Sequence, residues 1–521
     1  MSVQLDSANP AAAALHNQAG VWEQPLDSAA RIQRHELESS PTHPTAGPVD
    51  GSGIGPRVDL GATRIDGDAT NEGTRTQEST VDGKPILVDQ LHESPGVSIT
   101  RERTAVEQGG QYYVASDQLV FTTGDGNDQV QVTQNANGSV SFDVNGETYE
   151  VELARGQEIT IRAGDGDDTI EIDSGVTVNF VIEGGAGDNV ISALGSGDDR
   201  IQGGAGNDVI TLGEGNNYVY GGAGDDAISV LGAGRNVLYG GEGNDTITGG
   251  QGIDYIDGGV GDDRIDGVTG QNILVGGLGN NVIHTGTGDS RVYAGDDSTV
   301  VNNGGQDVIY ATEAISDRIS AENGGSNTVV NVVLDPSLGR SMTIEGSEEF
   351  VSRVQADIEM LRNSPNGQQM LAEFDAAAAN GNTVTIRELQ NEQNGYASMI
   401  PSYISNGQAG GGSDVTISYN PSFFVESLPA PSVILYHEMS HGFNAVTGTF
   451  MPGNYDGGAE GRSHPDYGLV NVERQAVGLP SSHPEFDFGN GRVTNSNPYE
   501  LTENGIREEM GLDLRPSYMA P

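Results

Sequence analysis

The pattern of apolar and polar positions divides the chain into segments of different character. Residues 1–95 show no sustained period; they are rich in Ala, Pro, Ser, Thr, Gly and Asp, with one Trp at Trp22. Such a stretch buries too little apolar surface to offset its ordering entropy, so a disordered leader is predicted there. From residue 96 the pattern becomes strict alternation. Gln118–Thr122, Gln129–Thr133, Ser139–Val144 and Thr148–Leu153 read as strands, with turn signals at Asn137-Gly138 and Asn145-Gly146. A β-rich cap is expected over 96–183.

From Gly184 the alternation becomes a nine-residue repeat. Gly203, Gly204, Gly206, Asp208 and Ile210 mark one unit, Gly221, Gly222, Gly224, Asp226 and Ile228 another, and Gly240, Gly241, Gly243, Asp245 and Ile247 a third. This is the pattern of parallel β-rolls. The glycines permit a tight turn with positive φ, the Asp places a carboxylate in that turn, and one aliphatic side chain per unit enters the core. Two units make one coil, so alternate units share an edge. One edge carries Asn189, Asp208, Asp226, Asp245, Asp263 and Asn281; the other carries Asp199, Asn217, Asn236, Asp254, Asn272 and Ser290. Four consecutive Asp on the first edge suit Ca²⁺, a hard cation that takes oxygen ligands. The Asn-rich edge suits a ladder of amides that needs no metal. The repeat resembles the RTX-type calcium-binding roll and is expected to span 184–310, with closing strands and a linker over 311–344.

Beyond the repeats the period switches to that of helices. Glu348–Asn363 and Gly367–Ala379 read as helices, Thr383–Ile386 and Asp414–Tyr419 as strands, and Pro431–Val446 as a third helix, with Pro431 at its first position and Gly448 at its end. That third helix carries His437-Glu438-Met439-Ser440-His441. Two His four apart lie one above the other on one helix face. There they can bind one Zn²⁺, with Glu438 placed to take a proton from the water that zinc activates. The apolar run Val433–Tyr436 predicts that this helix is buried, and buried imidazoles need partners. The third ligand lies downstream. Glu473, 32 positions after His441 and set among Val472, Ala476 and Val477, is the first choice; Asp466, His464 and His483 are rivals. Arg507, Arg515 and Tyr518 are candidates for stabilising an oxyanion.

Residues 345–521 resemble the M91-type zinc metallopeptidases, a group of bacterial type III effector proteases. The resemblance rests on the ordered blocks Phe350–Val354, Asp357–Leu361, Ser364–Gly367, Leu435–His441, Val472–Gly478 and Glu503–Gly511 with Leu514–Tyr518. It implies a zinc site at His437 and His441, Glu438 as general base, an acidic third ligand that best matches Glu473, a small α+β zincin-like domain, and host signalling proteins as a substrate class. The long Gly/Asp-rich region ahead of that domain departs from compact members of the family.

Composition sets further bounds. The 521 residues hold 75 Asp+Glu against 24 Lys+Arg, a formal charge of −51. Such a surface repels nucleic acid and anionic membranes and suits divalent cations. Without Cys there is neither a disulfide nor a thiolate metal site. No 18-residue apolar run exists and no Sec signal is read at the N-terminus. The expectation is a multidomain, secreted, monomeric zinc endopeptidase with a calcium-stabilised roll, acting on protein substrates and translocated into a host cell. The alternative is a calcium-binding surface or adhesion protein whose zinc motif is incidental.

Overall fold

Two long β-sheets stacked face to face form one half of the molecule, and a helical domain lies along the outer face of one of them. The computed structural model describes residues 63–519 apart from 71–75, 80–83, 109–110, 296, 390–394, 422–429 and 490. Trp22 and the first 62 residues of the expected leader lie outside the described residues.

The repeats coil as the nine-residue period requires. Strands Val190–Ala193, Val209–Leu212, Ala227–Val230, Thr246–Thr248 and Arg264–Asp266 pair in parallel in one sheet. Strands Phe180–Ala186, Arg200–Ala205, Tyr218–Ala223, Asn236–Glu242 and Asp254–Val260 do so in the other. The parallel ladder continues past the tidy repeats to Ser326–Asn331. At least one aliphatic side chain per strand points inward. Ile191, Ile210, Ile228, Ile247 and Ile265 meet Ile182, Ile201, Val219, Leu238 and Ile256 in a single buried column. Each inward side chain contributes about 1.5–3 kcal/mol on burial, and the parallel backbone ladders add to this column.

The N-terminal end of the roll is closed by antiparallel strands, Pro85–Ser94, Val97–Gln108 and Gln111–Thr122 on one sheet and Gln129–Gln134, Val140–Val144 and Glu147–Glu152 on the other. Three of the described strands fall where the sequence predicted disorder: Thr63–Asp66, Thr76–Ser79 and Pro85–Ser94. The first adds in parallel to Glu147–Glu152 and the second pairs with Pro85–Ser94. Short segments with little apolar content of their own become strands here because a sheet edge supplies their backbone partners.

The C-terminal domain has five α-helices among the described residues: α1 (Glu348–Asn363), α2 (Pro365–Ala379), α3 (Pro431–Thr447), α4 (Asn471–Val477) and α5 (Glu503–Glu509). A four-stranded sheet runs in the order Thr343–Glu345, Val384–Glu388, Val415–Tyr419, Gly395–Met399, and its last strand is antiparallel. Helix boundaries follow local chemistry. The Ser347 and Ser364 side chains cap α1 and α2 by accepting the N–H groups of Phe350 and Gly367, Pro431 opens α3, and Gly448, at φ 68°, ends it. All of α3 from Pro431 to Val446 is buried, as its apolar run predicted.

The two halves share one core. Outward positions on the second roll sheet carry Tyr218, Tyr220, Tyr239, Tyr255, Tyr293 and Tyr310, and these pack in the same apolar cluster as Phe350, Val354 and Ile358 of α1 and Val433 to Tyr436 of α3. Arg353 of α1 lies over the rings of Tyr218 and Tyr220 at 5.4 and 5.5 Å, donates to the Tyr218 hydroxyl at 2.6 Å and pairs with Glu349 at 2.7 Å. Asp357, fully buried, accepts from the hydroxyls of Tyr239 at 2.9 Å and Tyr419 at 3.3 Å. Burial pushes its carboxyl up to about 7. Asp257, on the roll side and equally buried, is pushed well above the ordinary range by burial and by the Asp357 charge.

A pH dependence follows. An acid whose folded pKa lies above its unfolded value near 4 stabilises the fold fully below pH ~4 and loses that contribution as pH rises through the folded value. In saturating calcium, the melting temperature is therefore expected to fall from pH 5 to pH 9. Asp357→Asn, which keeps an acceptor for the Tyr239 hydroxyl, flattens that slope. An equal slope in the variant, read by calorimetry, removes Asp357 as its source.

Candidate functional site

Helix α3 presents His437 and His441 from one face, with ring centroids 4.9 Å apart. Helix α4 brings Glu473 against them, with Oε2 3.7 Å from Nε2 of His437 and 3.3 Å from Nε2 of His441. All three residues are buried, and suitable donor atoms of the three lie within 4.8 Å of one another. Among the described residues this is the one cluster of that kind. Neither carboxylate oxygen of Glu473 receives a hydrogen bond. A buried carboxylate with both oxygens unsatisfied is costly unless a cation takes them. A tetrahedral zinc with bonds of ~2.0–2.1 Å places its ligands ~3.4 Å apart, close to the separations seen here, so the residues fit zinc.

The electrostatics match. The neighbouring imidazoles hold Glu473 well below the usual carboxylate range despite its burial. Burial opposes charge on His437, but the carboxylates of Glu473 and Glu503 on either side of the ring outweigh it and push it up to about 10. Glu438 is 4% exposed, and burial raises its pKa, the direction that suits a carboxylate that must accept a proton.

A second layer of residues fixes His437. Its Nδ1 lies 2.9 Å from Oε2 of Glu503, the first residue of α5. Glu503 in turn accepts from Arg515 at 3.0 Å and Arg507 at 3.3 Å. With Nδ1–H donating to a carboxylate, Nε2 carries the free lone pair. Sequence reasoning assigned Glu503 no role. The available signal was the Glu503–Arg507 spacing of four on a short helix.

The other candidates are placed as follows. Asp466 faces away from the imidazoles: it pairs with Arg474 and accepts the backbone N–H groups of Tyr518 and Met519, both at 2.9 Å. It pins the C-terminal strap, where a cation and two amides satisfy it, and it lies outside the group formed by His437, His441 and Glu473. His464 accepts the Asp466 N–H through Nδ1, and His483 bonds the Pro484 carbonyl; neither joins the cluster. Arg507 lies behind His437, on Glu503 and the Asp513 carbonyl. The Tyr518 ring is 6.2 Å from that of His437, Arg515 stacks on it at 5.0 Å, and its buried hydroxyl has no hydrogen-bond partner.

Residues 339–518 match the M91 peptidase family, described as effector protein. Residues 194–228, 231–265, 239–274, 266–301 and 275–309 match the RTX calcium-binding nonapeptide repeat. No curated protein and no solved structure matches the chain. The M91 match takes in His437, His441 and Glu473, and the repeat matches take in the four consecutive Asp.

The two edges of the RTX roll differ in their hydrogen bonding. On the aspartate edge each carboxylate uses one oxygen on the preceding coil: Oδ1 of Asp208, Asp226, Asp245 and Asp263 accepts the N–H of Asn189, Asp208, Asp226 and Asp245 at 2.7–2.9 Å. The Oδ2 atoms of the same four residues are buried and unpartnered. Burial pushes Asp226 up to about 8, Asp245 up to about 6 and Asp263 up to about 7. Each Oδ2 faces the first glycine of its unit; a Cβ on Gly203 or Gly240 would sit 2.4 or 2.2 Å from it. The asparagine edge is satisfied from within. Asn217 and Asn236 donate their amides to Asn236 at 3.1 Å and Asp254 at 2.7 Å, Asn272 donates to the Gly267 carbonyl at 2.6 Å, and the second oxygen of Asp254 accepts from Gly250 at 2.7 Å. Among the described residues no helix is long and apolar enough to cross a membrane.

Proposed function

We propose that this chain is a secreted, gluzincin-like zinc endopeptidase, an effector that cleaves host proteins, signalling proteins among them. The observation that supports this most is the convergence of two imidazole Nε2 atoms on a buried carboxylate whose oxygens have no hydrogen-bond donor. His437, His441 and Glu473 would hold the ion. Zinc bound there supplies Lewis acidity toward a water and a peptide carbonyl. Glu438 takes the proton of the attacking water and passes it to the leaving amine. Tyr518 donates its unpartnered hydroxyl to the oxyanion as the carbonyl becomes tetrahedral, and Arg515 holds the ring in place. Glu503, braced by Arg507 and Arg515, keeps His437 in the tautomer that binds metal through Nε2.

The same reading assigns Ca²⁺ to the aspartate edge, between Asp208, Asp226, Asp245 and Asp263, and leaves the asparagine edge free of metal. Weak calcium sites fill at extracellular and not at cytosolic concentrations, which suits a chain exported before its roll is fully ordered.

Metal analysis of the purified chain tests the peptidase assignment: one zinc per chain is expected. Glu473→Ala is expected to lower zinc affinity by at least ~10-fold through loss of a ligand, while Asp466→Ala keeps zinc. The reverse result would move the third ligand to Asp466, and a zinc-free parent chain would end the reading.

A further inference from the structure

The support behind the zinc site does not end within the peptidase domain. Helix α5 has two turns, and helices this short are marginal in isolation, so contacts at its two ends set its orientation. Its first residue is Glu503, on His437. Its last is Glu509, half-buried and bonded to the roll. The Tyr293 hydroxyl donates to Oε1 of Glu509 at 3.1 Å. The Tyr310 hydroxyl donates to the Glu509 backbone carbonyl at 3.0 Å, one of the carbonyls that a helix C-terminus leaves without an internal partner. The two tyrosine rings stack at 4.8 Å and 10°. Oε2 of Glu509 accepts the Asn366 N–H at 3.0 Å, and the Asn366 amide donates to the Gly505 carbonyl at 2.9 Å. Arg291, on the same roll strand as Tyr293, lies against Gly511 just past the helix.

We propose that Tyr293 and Tyr310 of the roll are positioning residues for the zinc site, acting through Glu509 and α5 on Glu503 and His437. This rests on the zinc reading above and extends it to residues outside the matched peptidase segment. Displacing the tyrosines leaves the half-buried Glu509 carboxylate with one partner fewer and its carbonyl uncapped. The helix then shifts or frays, and the hydrogen bond that orients His437 weakens. Outer supports of this kind change metal affinity by ~10–100-fold. Because coils couple to their neighbours, ordering of the roll by calcium is transmitted to Tyr293 and Tyr310, and calcium tightens zinc binding.

The experiment uses the full chain. Zinc affinity is measured by chelator competition, the ligand geometry by the absorption of the cobalt(II)-loaded chain, and order in 503–509 and in the roll by hydrogen exchange, with and without millimolar calcium. For Tyr293→Phe/Tyr310→Phe, we expect zinc affinity to fall ~10-fold, the cobalt spectrum to change and exchange at 503–509 to quicken, while the coils over 209–266 stay protected. Calcium should raise zinc affinity in the parent and lose that effect in the double variant. Glu509→Ala should reproduce the loss. Glu509→Gln, which can still accept from Tyr293, should largely restore the parent values. Parent-like affinity, spectrum and exchange in the double variant would overturn the proposal. So would a uniform loss of protection across roll and peptidase, which would make the tyrosines general stabilisers. A parent chain that binds no zinc while calcium still protects 503–509 would reject the peptidase reading and the positioning role together, yet leave the mechanical link in place.

Discussion

Glu438→Gln is expected to abolish peptide hydrolysis while leaving zinc bound and the fold intact. The substitution preserves size and one oxygen but removes the ability to take a proton. Glu438 sits between the two histidines on α3 and is almost wholly buried, so replacing its charge with a neutral amide creates neither a cavity nor an unpaired ion. On the proposed assignment zinc is held by His437, His441 and Glu473, none of which is altered. Removal of a positioned general base lowers turnover by at least ~10²-fold. The check is turnover of a protein substrate that the parent cuts, beside zinc content and melting temperature. Parent-level turnover in the variant rejects Glu438 as the base. Loss of zinc together with turnover would instead show that Glu438 helps to hold the ion.

Calcium removal is expected to give the second large effect, on the roll. The four carboxylates Asp208, Asp226, Asp245 and Asp263 follow one another on successive coils, so they define three gaps, each lined by unpartnered oxygens. An ion present at ~100 times its dissociation constant stabilises the folded state by ~2.7 kcal/mol. Three independent gaps give ~8 kcal/mol, which corresponds to a fall in the roll's melting temperature of about 20 °C on chelation. Replacing all four Asp by Asn should abolish that difference, because the asparagine edge already shows amides joining consecutive coils. Thermal melts with calcium and with chelator decide the matter. Identical melts for the parent, with no calcium in the purified chain, would leave a laddered solenoid that needs no cation.

The roll and helix α3 were legible in the sequence because their signals are local. A nine-residue period fixes which side chain turns inward. Pro431 and Gly448 bracket α3, and the apolar context of Glu473 makes it the first choice for a third ligand, with Asp466 as a rival. What could not be read depends on contacts between distant segments. Each outward tyrosine of the roll, taken alone, is an ordinary strand-forming residue; only the approach of α1 and α5 turns Tyr239 into a partner of Asp357 and Tyr293 into a partner of Glu509. The same holds for Asp466, whose Arg474 and strap amides are supplied by the folded chain, and for Arg507, placed behind His437 by Glu503. The strands at Thr63–Asp66 and Thr76–Ser79 carry no period of their own and exist through the edges they join.

The side-by-side packing of roll and peptidase also limits how the repeat array can change in descent. Solenoids usually lengthen or shorten by duplicating or losing whole units. Here one coil spans 18 or 19 residues in the central stretch, as in the pairings Val209 with Ala227 and Ala227 with Thr246. Gain of a coil between Tyr218 and Tyr310 would move one part of the tyrosine row ~4.8 Å along the roll relative to the other, out of step with α1 and α5. Loss of a single nine-residue unit would exchange the two edges beyond it. Lineages of this protein should therefore hold the number of coils constant from Tyr218 onward and vary it, if at all, toward the N-terminal cap, so that the solenoid acts as a ruler cut to the length of the enzyme beside it.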